Sequence, residues 1–207
     1  MLIEAIKLIP EELTKSKIRV KVEEYMIRAE KLKKHIESLK SEGNYREQIQ
    51  IKEDSVGHSY DNIFSRFLDT NVTTVQVDDP YIRSVHQCDN FVRFVELVLK
   101  KCPNVTSVRL NTGKDDDFGN QQKRLDSIAK SCMNIQGRHL LLGIQYSDSL
   151  HDREIRFDNG WVVKIGRGLD FFKPKDRYTV GFTDFDFRPC KETTVDIFHR
   201  KELTKVR

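Results

Sequence analysis

The alternation of strand and helix patterns along residues 72–146 constrains the fold more than any other feature of this sequence. Short segments rich in β-branched residues predict strands, and the segments between them carry apolar residues at helical spacing. Strands connected through helices are typical of a sheet with parallel strands and helices packed on it. The predicted strands are 72–79, 105–110 and 139–146, and the predicted helices are 84–101 and 115–132.

The remainder of the chain predicts further strands. Segments 153–157 and 161–165 flank Asp158-Asn159-Gly160, a typical hairpin turn, and 178–185 alternates apolar and polar residues. Residues 191–201 suit a terminal helix or an extended tail. The fold class expected for residues 58–207 is therefore α/β, an α-β-α sandwich around a mixed sheet.

The N-terminal part has a different pattern. Apolar residues recur every three or four positions over 16–41, which predicts one long helix with Ser16 as its N-cap and Gly43 at its end. We expect a helical arm over 1–42, and a linker or ordered strap over 43–57.

Composition narrows the functional classes. Apolar residues make up 38% of the chain, with 12 Phe and 6 Tyr, so part of it must pack into a core. The formal net charge of +4 is too small to indicate nucleic-acid binding by itself. There is no run of 18 apolar residues and no signal-peptide pattern, which predicts a cytoplasmic protein with buried, reduced cysteines and peripheral membrane contact. The scattered histidines predict no metal site, and no motif indicates a cofactor.

The segment 151–172 carries the residues with the clearest chemistry. His151 and Arg153 lie two positions apart, so on a strand they point to the same side. A phosphodiester reaction needs such a pair, an imidazole to attack or protonate and a cation for the phosphoryl oxygens. Gly166 and Gly168 would let the backbone approach a ligand. The alternative is that His151 only binds a strand-end backbone group.

This segment resembles the His-x-Lys-x4-Asp box of the phospholipase D superfamily. His151 and Arg153 match its first two residues, Asp158 matches its aspartate, and an Ile-Gly turn follows at 165–166. Two features depart from the pattern: Arg153 replaces the lysine, and Arg167-Gly168-Leu169 replaces the usual Ser-x-Asn. The chain also has one box where family enzymes combine two. The resemblance therefore implies a phosphate-holding pocket without catalytic residues.

A longer resemblance links residues 58–200 to the phospholipase D-like C-terminal domain of MIT-domain proteins. It implies a phospholipase D-like fold, homodimerisation, binding of phosphoinositide-rich membrane, and a role in abscission during cytokinesis, at late endosomal membrane and the midbody. The segments that carry it are DPYIR (79–83), SLHDREIRFDNGW (149–161), KIGRGLDFF (164–172), DFDFRPC (184–190) and ETTVDIFH (192–199).

The helical arm is similar to the third helix of the MIT domain over YMIRAEKLK (25–33). The resemblance implies that Met26 and Glu30 bind helical tails of ESCRT-III subunits, with the small Ala29 allowing close approach. Residues 1–42 are too few for a complete three-helix MIT bundle. We therefore expect a partial bundle, either in a truncated chain or steadied by the C-terminal domain or a dimer mate.

A basic strip with interleaved aromatic residues follows the box. Cations beside exposed aromatic rings suit an anionic lipid surface. The alternative is that the rings belong to the core and the cations form a solvated rim, and for Trp161 we favour the core. The cations are Lys164, Arg167, Lys173, Lys175 and Arg177, and the aromatic residues are Trp161, Phe171 and Phe172.

Three functions compete on this sequence. The leading hypothesis is a non-enzymatic adaptor between ESCRT-III tails and acidic phospholipid membrane, in which His151, Arg153 and the basic strip hold phosphate. The enzymatic alternative is a metal-independent phosphodiesterase whose two His151 residues meet across a dimer. The third, single-stranded nucleic-acid binding, is opposed by the nearly balanced charge and the lack of an aromatic stacking platform.

Overall fold

The computed structural model describes residues 12–135 and 137–200, with the side chains of 12–14 and 41 excepted, and the chain divides into two compact units, 1–45 and 46–207. In the first unit, helix α1 spans Glu12–Glu42. Ser16 therefore lies inside the helix, and its prediction as N-cap was wrong. Gly43 ends the helix as predicted: its φ is +74°, and the Gly43 and Asn44 amides donate to the carbonyls of Lys40 and Leu39. The part of the predicted arm at 1–11 lies outside the described residues.

The second unit is built on one mixed sheet of seven strands in the order β1-β7-β6-β5-β2-β3-β4. Short 3-10 helices occur at Ser65–Phe67 and Phe185–Phe187. The strands are β1 (Arg46–Ile51), β2 (Thr74–Asp78), β3 (Ser107–Thr112), β4 (Leu141–Tyr146), β5 (Glu154–Phe157), β6 (Trp161–Ile165) and β7 (Thr193–His199), and the helices are α2 (Tyr60–Phe64), α3 (Val85–Lys101) and α4 (Phe118–Cys132).

The parallel part of the sheet matches the predicted strand–helix alternation. Strands β2, β3 and β4 run parallel and are connected through α3 and α4. Ser84 and Gln87 form a capping box at the start of α3, and Asp117 caps α4. Both connections advance in the same direction across the sheet, so right-handed crossovers put both helices on one face. The predicted mixed α/β fold is confirmed.

The antiparallel part differs from the sequence prediction in three segments. Residues 46–51, predicted within a linker, form the edge strand β1, which pairs with β7. Within the tail predicted at 191–201 as a helix or extended segment, Thr193–His199 form strand β7, which pairs also with β6. Residues 178–185, predicted as a strand, form turns of a surface loop. The alternation of apolar and polar residues within one segment cannot distinguish a strand from a loop, because pairing partners decide which extended segments become strands.

The core lies on one face of the sheet. Val75, Val77 and Ile155 are buried and alternate with polar residues along their strands. Val163 of β6 is also buried and pairs with Ile155. An aromatic cluster covers them, in which Tyr60 and Phe64 contact Phe94 of α3. The rings of Tyr60 and Phe172 also meet edge to face, with their centres 5.3 Å apart, which ties the 169–172 segment to this layer. The free cysteines Cys88, Cys102, Cys132 and Cys190 are buried, as predicted.

Candidate functional site

The two leading residues of the phospholipase D-like box lie at the start of β5. His151 is exposed in the segment before the strand. The Arg153 guanidinium is half-buried, donates to the Gly166 carbonyl and lies 4.3 Å from the Tyr81 ring centre. Arg153 therefore helps to hold the Ile-Gly turn in place, and of this pair only His151 is exposed.

The third residue of the box, Asp158, lies at the opposite end of β5. Its carboxylate accepts hydrogen bonds from the Thr73 amide at 3.0 Å, the Thr74 amide at 2.9 Å and the Thr73 hydroxyl. A strand rises by about 3.3 Å per residue, so His151 and Asp158 cannot meet across the strand between them. Asp158 anchors the β5–β6 hairpin to the start of β2, and its role is structural.

The turn after β6 packs on a buried carboxylate. Asp79 accepts hydrogen bonds from the amides of Leu169, at 3.1 Å, and Tyr81, at 3.0 Å. Burial raises the pKa of Asp79, while these two amides and the Arg153 charge partly oppose that increase. Gly168 has a φ of +61°, and a β-carbon at this position would overlap the Asp79 carboxylate. The glycine is therefore required by both backbone conformation and space.

We expect Gly168→Ala to destabilise the fold by about 2–4 kcal/mol, because alanine must adopt a left-handed conformation and displace Asp79. Thermal unfolding should shift down by roughly 5–10 °C. Gly143→Ala is the matched control, since no atom lies within 4 Å of the β-carbon it would add. Equal melting temperatures for the two variants would contradict this account of the turn.

The predicted basic strip does not form one surface. Lys164 pairs with the buried carboxylate of Glu154 at 3.1 Å, and Arg167 donates to the Glu192 carbonyl at 3.0 Å. Lys173 binds Asp54 at 2.8 Å and also binds Glu53. Side-chain hydrogen bonds to Asp54 and Glu53 raise the pKa of the Lys173 ammonium. The structure thus gives most of these cations separate partners.

The aromatic residues of the strip belong to the core. Trp161, Phe171 and Phe172 are 9%, 0% and 5% exposed. The interpretation of Phe171 and Phe172 as exposed neighbours of the cations was therefore wrong, and the core position favoured for Trp161 is confirmed. The alternation of Phe171 and Phe172 with cations arises because that segment passes over the aromatic cluster of the core.

Exposed apolar residues occur instead on the 174–188 loop, which sequence reasoning predicted in part as a strand. The Lys173 amide donates to Pro189 and the Lys191 amide to Phe171, so the two ends of the loop lie side by side. Tyr178, Val180 and Phe187 are 99%, 75% and 58% exposed. Lys175 and Arg177 belong to the same loop. The prolines at 174 and 189 and the glycine at 181 were the available sequence signals for a loop.

On helix α1, the predicted partner-binding residues are accessible. Met26 is 54% exposed, and Ala29 and Glu30 are also exposed. Met26 and Ala29 belong to one largely apolar surface along the helix, and Glu30 lies one turn after Met26. The residues that line this surface are Lys17, Ile18, Lys21, Val22, Tyr25, Met26 and Ala29.

The described residues contain neither a cluster of metal-ligating side chains nor a membrane-spanning helix. Across 12–135 and 137–200, no group of three His, Cys, Asp or Glu side chains is arranged to hold a metal ion. No helix in these same ranges combines the length and apolarity required to cross a bilayer.

Comparison with known proteins agrees with the fold. Residues 57–199 match the family model of the phospholipase D-like domain at the C-terminus of MIT proteins. The chain therefore belongs to the family of MIT-domain proteins with a phospholipase D-like C-terminal domain. It is 45% identical to mouse (Mus musculus) MIT domain-containing protein 1 over 210 aligned residues, which cover 100% of this chain and 83% of the mouse protein. That alignment includes helix α1, which the family model does not cover.

Proposed function

We propose that this chain is a non-enzymatic adaptor that joins helical tails of ESCRT-III subunits to acidic, phosphoinositide-containing membrane during abscission. In this proposal the protein acts as a homodimer at late endosomal membrane and the midbody. Two copies would raise the apparent affinity for a surface that presents many sites.

One observation carries the membrane half of the proposal, the exposed apolar residues of the 174–188 loop. Tyr178 and Val180 are more exposed than the other large apolar residues of the described chain. Apolar side chains at a loop tip are costly in water and are stabilised when they enter the acyl boundary of a bilayer. Lys175 and Arg177 on the same loop would contact anionic headgroups at about 1 kcal/mol per cation.

The accessible surface of α1 supports the partner half. An amphipathic helix that docks on Met26 and Ala29 buries apolar area, and Glu30 would receive a basic residue of the same tail. Membership of a family of MIT-domain proteins makes an ESCRT-III tail the favoured occupant. The apolar residues on α1 and on the 174–188 loop belong to different units, so the two activities are separable by mutation.

Flotation with liposomes tests the membrane half. We expect the full chain to float with vesicles that contain phosphoinositide or phosphatidylserine, and to remain in solution with neutral phosphatidylcholine. Binding should weaken as salt rises from 50 to 500 mM, since the Debye length shortens and exposed cations are screened. Equal binding to neutral and acidic vesicles would contradict an electrostatic contribution.

We further expect no hydrolysis of phosphatidylcholine or of model phosphodiesters above background. The proposed lack of activity is supported by the hydrogen bonds that occupy Arg153 and Asp158. His151→Ala should leave the melting temperature unchanged, because His151 is exposed. Turnover that disappears in His151→Ala would instead establish the phosphodiesterase alternative.

A further inference from the structure

A cavity of about 370 Å³ lies between helix α3 and the segment 170–191, and none of its lining residues belongs to the phospholipase D-like box. Its volume is within the range of small-ligand sites. The residues that line it are His86, Asp89, Asn90, Arg93, Asp170, Phe172, Lys173, Pro174, Lys175, Phe182, Arg188 and Lys191. We call it the α3 cavity.

Two arginines that line the α3 cavity contact the same aromatic ring. The guanidinium carbons of Arg93 and Arg188 lie 4.4 and 4.0 Å from the centre of the same ring, Phe185. Burial and then the charge of Arg93 lower the pKa of Arg188, which is the effect expected of neighbouring like charges. Within the described chain neither guanidinium has an ion pair with a carboxylate.

The arginines are held in place by neutral groups. Arg93 donates to the Asn90 side-chain oxygen at 3.3 Å, and Arg188 donates to the carbonyls of Gly181, at 2.7 Å, and Phe182. These bonds fix both guanidinium groups without neutralising them. Each group keeps donors that these contacts do not use, since a guanidinium has five N–H donors.

The acidic side chains of the cavity are largely compensated. The Asp170 carboxylate lies 3.5 Å from the Lys191 ammonium and 3.3 Å from His86 Nε2. It also accepts a hydrogen bond from the Asn90 side-chain amide at 3.3 Å. Asp89 is exposed at the rim. Lys173 pairs with Glu53 and Asp54, and Lys191 pairs with Asp170. The other cations of the lining are Arg93, Lys175 and Arg188, and the only other carboxylate of the described lining is Asp89, so the cavity carries a net positive charge.

We infer that the α3 cavity binds a phosphomonoester group, carried either by a lipid headgroup or by a soluble small molecule. A phosphomonoester has close to two negative charges at neutral pH and three strong acceptor oxygens, so it can accept hydrogen bonds from two guanidinium groups at once. A phosphodiester has one charge and fewer free oxygens. The lipid form of the inference rests on the proposed membrane function, because the 174–188 loop that would contact the bilayer also forms one side of the cavity.

The experiment compares lipid and soluble ligands on the full chain. Vesicles that contain phosphatidylinositol 4-phosphate and vesicles that contain phosphatidylglycerol are matched for zeta potential and used in flotation. Inositol 1,4,5-trisphosphate and inorganic phosphate are titrated separately by calorimetry. The variants are Arg93→Gln and Lys175→Gln, with Arg109→Gln as matched control, since Arg109 is exposed on β3 outside the cavity.

We expect preference for the phosphomonoester vesicles and binding of the trisphosphate, both reduced about tenfold or more in Arg93→Gln and unchanged in Arg109→Gln. Arg188 also donates hydrogen bonds to two carbonyls of the 174–188 loop, so Arg188→Gln enters the binding experiments only if circular dichroism and thermal melting show that it is folded. Equal flotation with both kinds of vesicle, unaffected by Arg93→Gln, would contradict phosphomonoester binding in the α3 cavity. It would remain consistent with the proposed membrane function. Trisphosphate binding that depends on Arg93, without flotation, would support phosphomonoester binding in the α3 cavity and contradict the proposed membrane function.

Discussion

Replacing Tyr178 and Val180 together with serine will reduce the affinity of this chain for acidic vesicles by about a hundredfold. Burial of an apolar side chain of this size contributes about 1.5–3 kcal/mol, so two such losses give about 3 kcal/mol or more. Both residues are exposed in the free protein, at 99% and 75%, so their replacement removes no core contact. Liposome flotation measures the affinity, and an unchanged melting temperature verifies the fold.

Leu141→Ser is the matched control for the loop. Leu141 is a large apolar residue that is 56% exposed, but it lies on the edge strand β4 and not on the 174–188 loop. Its replacement should leave vesicle binding intact. If Leu141→Ser removed flotation and the double loop variant did not, the membrane surface would lie on the β4 side of the sheet.

Met26→Asp will remove binding of a helical ESCRT-III tail peptide and leave vesicle binding unchanged. Loss of an apolar interface anchor commonly costs about 1–3 kcal/mol, roughly ten- to a hundredfold in affinity, and a new charge adds a desolvation cost. Met26 belongs to the first unit of the chain, and the 174–188 loop belongs to the second. Fluorescence anisotropy with a labelled tail peptide measures the first effect, and flotation measures the second.

Ile27→Asp is the control for the arm. Ile27 follows Met26 directly and is equally exposed, at 55%, but it is not among the residues that line the apolar surface of α1. A change at Ile27 should leave the tail peptide bound. Equal loss in both variants would show that added charge on α1, and not the Met26 contact, controls binding.

The sequence predicted the elements whose signals are local. The parallel strands, the helices α3 and α4, and the hairpin at Asp158-Asn159-Gly160 all lie within a few residues of their predicted bounds. Apolar periodicity, caps and turn residues act over short distances, so one segment contains enough information to specify them.

The candidate site was harder to predict, because its residues come together only through long-range packing. Arg93 comes from the middle of α3 and Arg188 from the end of the 174–188 loop, and no spacing in the sequence links them. Asp158 matches the box in sequence, yet the length of β5 separates it from His151. Alternation over 178–185 resembles a strand, but those residues have no neighbouring strand to pair with.

By itself the sequence determined the α/β class, the long N-terminal helix and the family to which the chain belongs, since these depend on periodicity and on motifs of contiguous residues. Only the tertiary structure decided which aromatic rings are buried and which cations are already paired. Phe171 lies in the core while Tyr178 is open to solvent, although each directly follows a charged residue in the sequence. Burial depends on where the sheet and helices place a segment, and an ion pair such as Lys164 with Glu154 depends on the register of β5 against β6.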